Sequence, residues 1–146
     1  MSDKKFVIES NFEHKGFRCV VVFNGCTGSR CGYVEIPADH PIAGKGWGEL
    51  SEIDMHGGCT FVSNGPSDYP VESELGWIGF DCAHYGDAQD HEAWNEYFPD
   101  TFQKWQSLQL LHYCPGSEVR SKGYCEEQCR QIVHQLIEMQ KGSTRE

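Results

Sequence analysis

The sequence predicts an α+β domain: an antiparallel β-sheet of about five strands, short aromatic helical turns after it, and a closing C-terminal helix. Three observations predict this. Runs of β-branched and aromatic residues crowd the first part of the chain, and Gly- and Asn-rich stretches separate them at strand-length intervals. Near the C-terminus, apolar residues instead recur with a 3.6-residue period.

The elements follow in order. Positions 6–8 and 17–23 are apolar, β-branched runs separated by a turn at 11–16, and positions 24–30 are rich in Gly, Asn and Ser and turn the chain into a third strand at 31–36. These three make an antiparallel meander. Pro37 ends it, and 38–49, with His40-Pro41 and Trp47 among its residues, reads as an irregular loop whose Trp47 packs onto the sheet. Positions 59–63 and 75–81 are strands four and five, joined by a turn-rich connection at 64–70. Between 87 and 109, Trp94, Tyr97, Phe98, Phe102, Trp105 and Leu108 recur at helical spacings with Pro99 interrupting, which predicts one or two short aromatic-faced helical turns. Ser121 caps the closing helix, whose buried stripe is Cys125, Cys129, Ile132, Val133, Leu136 and Ile137.

Composition limits the function. A chain of 146 residues is expected to form one domain, 1–146, with its own core. A net charge of −10 speaks against nucleic acid polymers and anionic membrane as partners, yet leaves room for one small anionic ligand in a locally basic pocket. The start, Met1 to Lys5, leads into only a short apolar run, so neither signal peptide nor membrane span is expected, and the expected location is cytoplasmic. In that compartment the eight cysteines read as free thiols, mostly buried, rather than as a disulfide framework.

Polar, aromatic and glycine residues concentrate between 54 and 91. His56-Gly57-Gly58 precedes a strand, where glycines allow a tight turn and let a ligand approach backbone amides, or simply form a β-bulge. Strand five ends in Phe80-Asp81-Cys82-Ala83-His84, with Gly86-Asp87 close behind, so several polar groups converge at one strand end. Alternatively, Asp81 and His84 bond each other or cap the next turn. His56, Cys59, Cys82, His84 and His91 are all zinc-capable, but their spacing shows no paired metal motif, so no metal and no cofactor are expected. Neighbouring strand residues point to opposite faces, which disfavours a Cys82/His84/Asp81 nucleophile; a triad of Cys82, His56 and Asp87 stays open, but no catalytic residue is assigned. Arginines are scarce, so Arg30, closing the turn after Phe23, and Arg120, just before the closing helix, stand out as phosphate forks. With Phe23, Phe80 and the amides of Gly57 and Gly58, they would form an aromatic, cationic pocket.

Four blocks, Arg30-Cys31-Gly32-Tyr33-Val34, His40-Pro41, Asp54-x-His56-Gly57-Gly58-x-Thr60-Phe61 and Trp77-Ile78-Gly79-Phe80-Asp81-Cys82-Ala83-His84-x-Gly86-Asp87, resemble a family of small bacteriophage proteins. The pattern is identified with the first type of Thoeris anti-defence protein, a sponge that binds the host's cyclic ADP-ribose alarm signal without cleaving it. The resemblance implies a homo-oligomer, a dimer or a hexamer built from dimers, in the cytoplasm of an infected bacterial host. Its ligand would be glyco-cyclic ADP-ribose in recessed pockets near subunit interfaces, with cyclic trinucleotides in separate pockets of some members. Carried over, Phe23 and Arg30 would flank one ligand end, Phe80 would stack, Arg120 would grip phosphate or ribose, and His56, Thr60 and Asp81 would make polar contacts. The segment 92–116 has no counterpart in the resemblance. Two other readings compete: a metal-dependent or cysteine/histidine hydrolase of a small phosphorylated substrate using His56, Asp81, His84 and Asp87, and a protein-binding inhibitor working through its acidic surface. The acidic residues are scattered, which suits solubility better than mimicry.

Overall fold

The computed structural model describes residues 5–44, 50, 52–111 and 115–143. Strands β1 (Phe6–His14), β2 (Phe17–Asn24), β3 (Ser29–Ile36), β4 (Phe61–Ser63) and β5 (Gly76–Asp81) form one antiparallel sheet in the order β1-β2-β3-β5-β4. Two residue pairs, β6 (Asp87–Ala88) and β7 (Glu118–Val119), make a separate parallel ladder. The helices are α1 (His91–Tyr97), α2 (Pro99–Ser107) and α3 (Lys122–Ser143) among the described residues. This is the α+β arrangement that the sequence predicts, with the meander, the late strand pair and the closing helix in their expected order.

The boundaries differ where local chemistry overrides the pattern. The first strand continues to His14 because the turn is only Lys15-Gly16, with φ of 51° and 88°, and His14 pairs directly with Phe17. A register shift between Ile8 and Ser10 inserts an extra residue into β1, which breaks the alternation that would have marked one long strand. The fourth strand starts at Phe61, since Gly57 and Gly58, at φ of 69° and 87°, are still turning. Pro99 interrupts the aromatic segment by opening α2, where its missing N–H costs nothing.

Side-chain alternation gives the sheet two apolar faces. Cys19 and Val21 of β2, Val34 of β3, and Ile78 and Phe80 of β5 meet Cys125, Cys129, Ile132, Val133 and Leu136 of α3. Each fully buried aliphatic or aromatic side chain there stabilises by about 1.5–3 kcal/mol relative to exposure. Val20, Val22, Tyr33 and Trp77 face the other way, covered by Phe6, Ile8, Phe61, Tyr69 and Val71. Phe23 lies beyond the end of α3 and is closed off by Trp94 of α1 and Phe102 of α2.

The start of α3 and the 38–44 loop are pinned by hydrogen bonds. The Tyr124 amide donates to Ser121 Oγ at 3.1 Å, the expected cap. His40 is buried; its Nε2 donates to the Leu136 carbonyl at 2.8 Å and its Nδ1 accepts from the Ile42 amide at 3.1 Å, which fixes the loop to the helix. Trp47 and Cys114 lie outside the described residues. The described cysteines are all free thiols, with Cys26 exposed, Cys59 half-buried and the rest buried. No helix among the described residues is long and apolar enough to cross a membrane.

Candidate functional site

Two short segments and the start of α3 converge on Asp87. Beyond β5, Asp81 Oδ1 accepts the Ala83 amide at 3.1 Å, and the chain turns back through Gly86 at φ 95°. That turn is closed by the Asp87 amide donating to the His84 carbonyl at 2.9 Å and the His84 amide donating to Asp87 Oδ2 at 3.0 Å. The parallel ladder pairs Asp87 with Glu118 and Ala88 with Val119, so Arg120 emerges beside the carboxylate, its Nε donating to Asp87 Oδ1 at 2.8 Å. A two-residue ladder thus joins groups 33 positions apart.

The 54–58 turn delivers His56 from the other side. Gln128 Oε1 accepts the His56 amide at 2.9 Å, while Gln135 accepts the Asp54 amide and donates to the Asp54 carbonyl, both at 2.7 Å. Held in this way, the His56 ring donates from Nε2 to both Asp87 oxygens at 2.9 Å and accepts the Tyr124 hydroxyl at Nδ1, 2.7 Å away. The Tyr124 ring stands perpendicular to it at 5.3 Å and also lies under the Arg120 guanidinium at 5.2 Å. Gly57 is required here: its φ is +69°, and a Cβ would sit 2.3 Å from His84 Cε1.

The Asp87 side chain is 1% exposed. Burial opposes its ionisation, but hydrogen bonds from Arg120, His56 and the His84 amide outweigh burial and hold its pKa below the ordinary carboxylate value. Arg120 is raised in turn, chiefly by its bond to Asp87. Cys82 turns its thiol to Cys125, 3.7 Å away, and that bond together with burial pushes its pKa far up. A Cys82/His56/Asp87 triad is therefore not assembled: the thiol belongs to the core, and His56 has already given both nitrogens to Tyr124 and Asp87.

Two hollows adjoin the cluster. The larger, about 780 Å³, is lined by Thr27, Ser29, His84, Asp87, His91 and Trp105, together with Cys26, Gln89 and Ser117. The smaller, about 460 Å³, is lined by Tyr33, Thr60, Phe61 and Asp81, and shares Thr27, Ser29, Ala83 and His84 with the larger. His84 thus stands where the two meet. Both volumes suit a compact small molecule.

The residues expected to bind a ligand separate into two groups. His56, Gly57 and Arg120 gather around Asp87; Gly58 is exposed in the same turn, and Thr60 and Asp81 line the smaller hollow. Phe23 and Arg30 instead do structural work, and Phe80 does so while also lining the smaller hollow. Phe23 is fully buried against Trp94 and Phe102, and the Phe80 ring, 1% exposed, belongs to the α3-facing core. Arg30 is 6% exposed and four of its five N–H groups are engaged: Nε and Nη2 donate to Glu9 at 2.6 and 3.2 Å, and Nη1 donates to Asp90 at 2.9 Å and to the Arg120 carbonyl at 3.1 Å. Its guanidinium also lies over the Phe23 ring at 5.3 Å. The correction has a physical source, because Glu9 sits at the β1 irregularity and Asp90 caps α1, two partners that spacing alone does not reveal.

Tyr124, Gln128 and Gln135 escaped the sequence reading, although they form a polar stripe at helical spacing beside the apolar one on α3. Trp105 was read only as a packing aromatic, and Thr27 and Ser29 only as turn residues. Of the zinc-capable residues, His56 and His84 come together, joined by Asp87, with ligand atoms within 4.8 Å of one another; Cys59, Cys82 and His91 do not join that group. No family model, no curated protein and no solved structure matches this chain.

Proposed function

We propose that the protein captures a small cyclic nucleotide signal, glyco-cyclic ADP-ribose or a cyclic oligonucleotide, in the larger hollow and holds it without cleaving it. The observation that carries this reading is a hollow of about 780 Å³ whose wall includes Asp87, a carboxylate already engaged by His56 and Arg120. General-base or nucleophilic chemistry needs a free lone pair beside a nucleophile; His56, Asp87 and Cys82 have committed theirs to Tyr124, Arg120 and Cys125, and the unpaired His84 Nδ1 has no hydroxyl or thiol bonded to it to activate. Capture needs only shape and complementary donors. Trp105, half-buried beside Trp94 with ring centroids 5.4 Å apart, offers a flat face for a base. The His84 and His91 rings offer donors for phosphate oxygens, and Thr27, Ser29 and Gln89 offer partners for ribose hydroxyls. Arg120 offsets the Asp87 charge that would otherwise repel an anion.

The sequence resemblance supplies the biological setting of the proposal: a bacteriophage anti-defence protein, oligomeric, acting in the cytoplasm of an infected host. By mass action, a sponge succeeds when its sites outnumber the free signal and bind it below the concentration that activates the host effector. The test is native mass spectrometry with a panel of cyclic nucleotides, followed by heat denaturation of the complex. Intact ligand is expected in the supernatant, and Trp105→Ala should weaken binding by about 1–3 kcal/mol, the usual value of one base–aromatic stack. Recovery of a cleaved product would replace capture with hydrolysis.

A further inference from the structure

We propose that His56, His84 and Asp87 hold one divalent transition-metal ion of the zinc class, tying the 54–58 turn to the turn after β5. This inference shares His84 and Asp87 with the wall of the larger hollow, but its test is separate from that of nucleotide capture. Three protein donors, His56 Nε2, an Asp87 oxygen and a His84 ring nitrogen, lie within 4.8 Å of one another. Ligands about 2.0–2.2 Å from a shared tetrahedral ion sit about 3.4 Å apart. Two of the separations bracket that value: 2.9 Å from His56 Nε2 to Asp87 Oδ1 and 3.7 Å from His84 Nδ1 to Asp87 Oδ2.

A second observation singles out the same point. His84 Nδ1 is a buried nitrogen that makes no hydrogen bond. The nearest carboxylate oxygens, on Asp81 and Asp87, stand 3.6 and 3.7 Å away, too far for a hydrogen bond and well placed for an ion between the donors. An orphaned imidazole nitrogen next to a buried, ionised carboxylate is the donor pattern of a metal site.

The outer contacts are those a ligated histidine needs. His56 has its far nitrogen against the Tyr124 hydroxyl at 2.7 Å, and Asp87 is oriented by Arg120 at 2.8 Å. Metal binding at Nε2 moves the His56 proton to Nδ1, which then donates to Tyr124; the hydroxyl can accept as readily as it donates, so no proton has to leave. Gly57, with no Cβ, leaves the space in which the His84 ring lies. Two imidazoles and one carboxylate select zinc-class ions over magnesium or calcium, which prefer all-oxygen shells. Because His84 and Asp87 also line the larger hollow, the fourth coordination position is available to water or to an anion there.

The experiment uses the full chain, stripped with chelator and titrated with zinc by calorimetry, with cobalt(II) as a spectroscopic stand-in. One equivalent per chain is expected, with cobalt spectra showing tetrahedral nitrogen and oxygen ligation and no thiolate charge-transfer band. His84→Ala should abolish the stoichiometric site, and Tyr124→Phe should weaken it about 10- to 100-fold, the usual effect of losing an outer-shell partner. If His84→Ala does not fold by circular dichroism, Tyr124→Phe and the cobalt spectrum decide. Failure of the folded wild type to bind zinc, a thiolate band, or unchanged affinity in the folded variants overturns the proposal. Nucleotide capture, measured on the stripped protein, reports separately on the function proposed above.

Discussion

Arg30 shows how burial changes what a side chain is for. With the Arg30 side chain 7% exposed and that of Glu9 3%, the pair is shielded from water on both sides. Burial alone would lower the Arg30 pKa, but bonds to Glu9 and Asp90 outweigh it and raise it. Tyr97 adds its hydroxyl to Glu9 at 2.7 Å, and that bond, then burial, pushes its pKa up to about 12. Removing the guanidinium leaves Glu9 buried and uncompensated, so Arg30→Ala should cost about 3–5 kcal/mol in a urea titration. A shift below 1 kcal/mol would instead mark Arg30 as free for a ligand. His14 gives a milder test. Its ring approaches His134, Nε2 to Nε2, at 3.1 Å, and burial, then His134, Lys15 and Arg130 lower its pKa from 6.5, with only Glu127 opposing. A lowered base binds fewer protons folded than unfolded, so its contribution is complete above about pH 6.5 and fades as pH falls toward the folded value. Proton NMR should place the His14 midpoint below 6.5, and His134→Gln should move it back up.

At the scale of elements, two changes isolate local terms. The Ser121 hydroxyl is the cap of α3, so Ser121→Ala should cost about 1 kcal/mol, read from the midpoint of chemical denaturation, with Ser121→Asp recovering most of it. Gly28, in the β2–β3 turn, has φ +72°, and a Cβ there would lie 2.4 Å from the Trp94 ring. Gly28→Ala therefore combines backbone strain of about 1–2 kcal/mol with displacement of a fully buried indole. The expected result is a clear drop in melting temperature and loss of the Trp94 near-ultraviolet signal. The strands, α3 and its cap were legible in the sequence because each rests on a period or a neighbour within a few residues. The β6–β7 ladder was not, because two residues carry no period, and the extra residue in β1 hid a nine-residue strand behind a break in alternation. The same limit explains the site: His56, Gly57, Asp87 and Arg120 are visible one by one, whereas the pairing of Arg120 with Asp87 and the contacts of Tyr124 and Gln128 to His56 join segments far apart in the chain. Phe23 differs from the expectation because an aromatic at a strand end looks the same in sequence whether helices cover it or not.

Across the whole molecule, stability is concentrated in the middle of the sheet and thins toward the site. Val20, Val21, Val22 and Val34 are completely buried, between α3 on one face and the 61–71 segment on the other. β4 is a three-residue edge strand of half-buried residues, and β7 is exposed throughout. The candidate site therefore lies on the least supported backbone, held by side-chain contacts to Asp87 rather than by long ladders. Native-state hydrogen exchange should report this gradient, because amides in poorly supported segments open by local fluctuation while core amides wait for global unfolding. Amides of β2 and β3 are expected to exchange slowest, and those of β4, β6 and β7 at least about 100-fold faster, roughly 3 kcal/mol less protected. If the Asp87 contacts are what joins the site to the core, Asp87→Asn should raise exchange in the 54–58 and 84–88 segments while leaving the β2 amides nearly unchanged. Uniform acceleration across the sheet would mean instead that these side-chain contacts are part of the global fold, and that the site opens only when the whole molecule does.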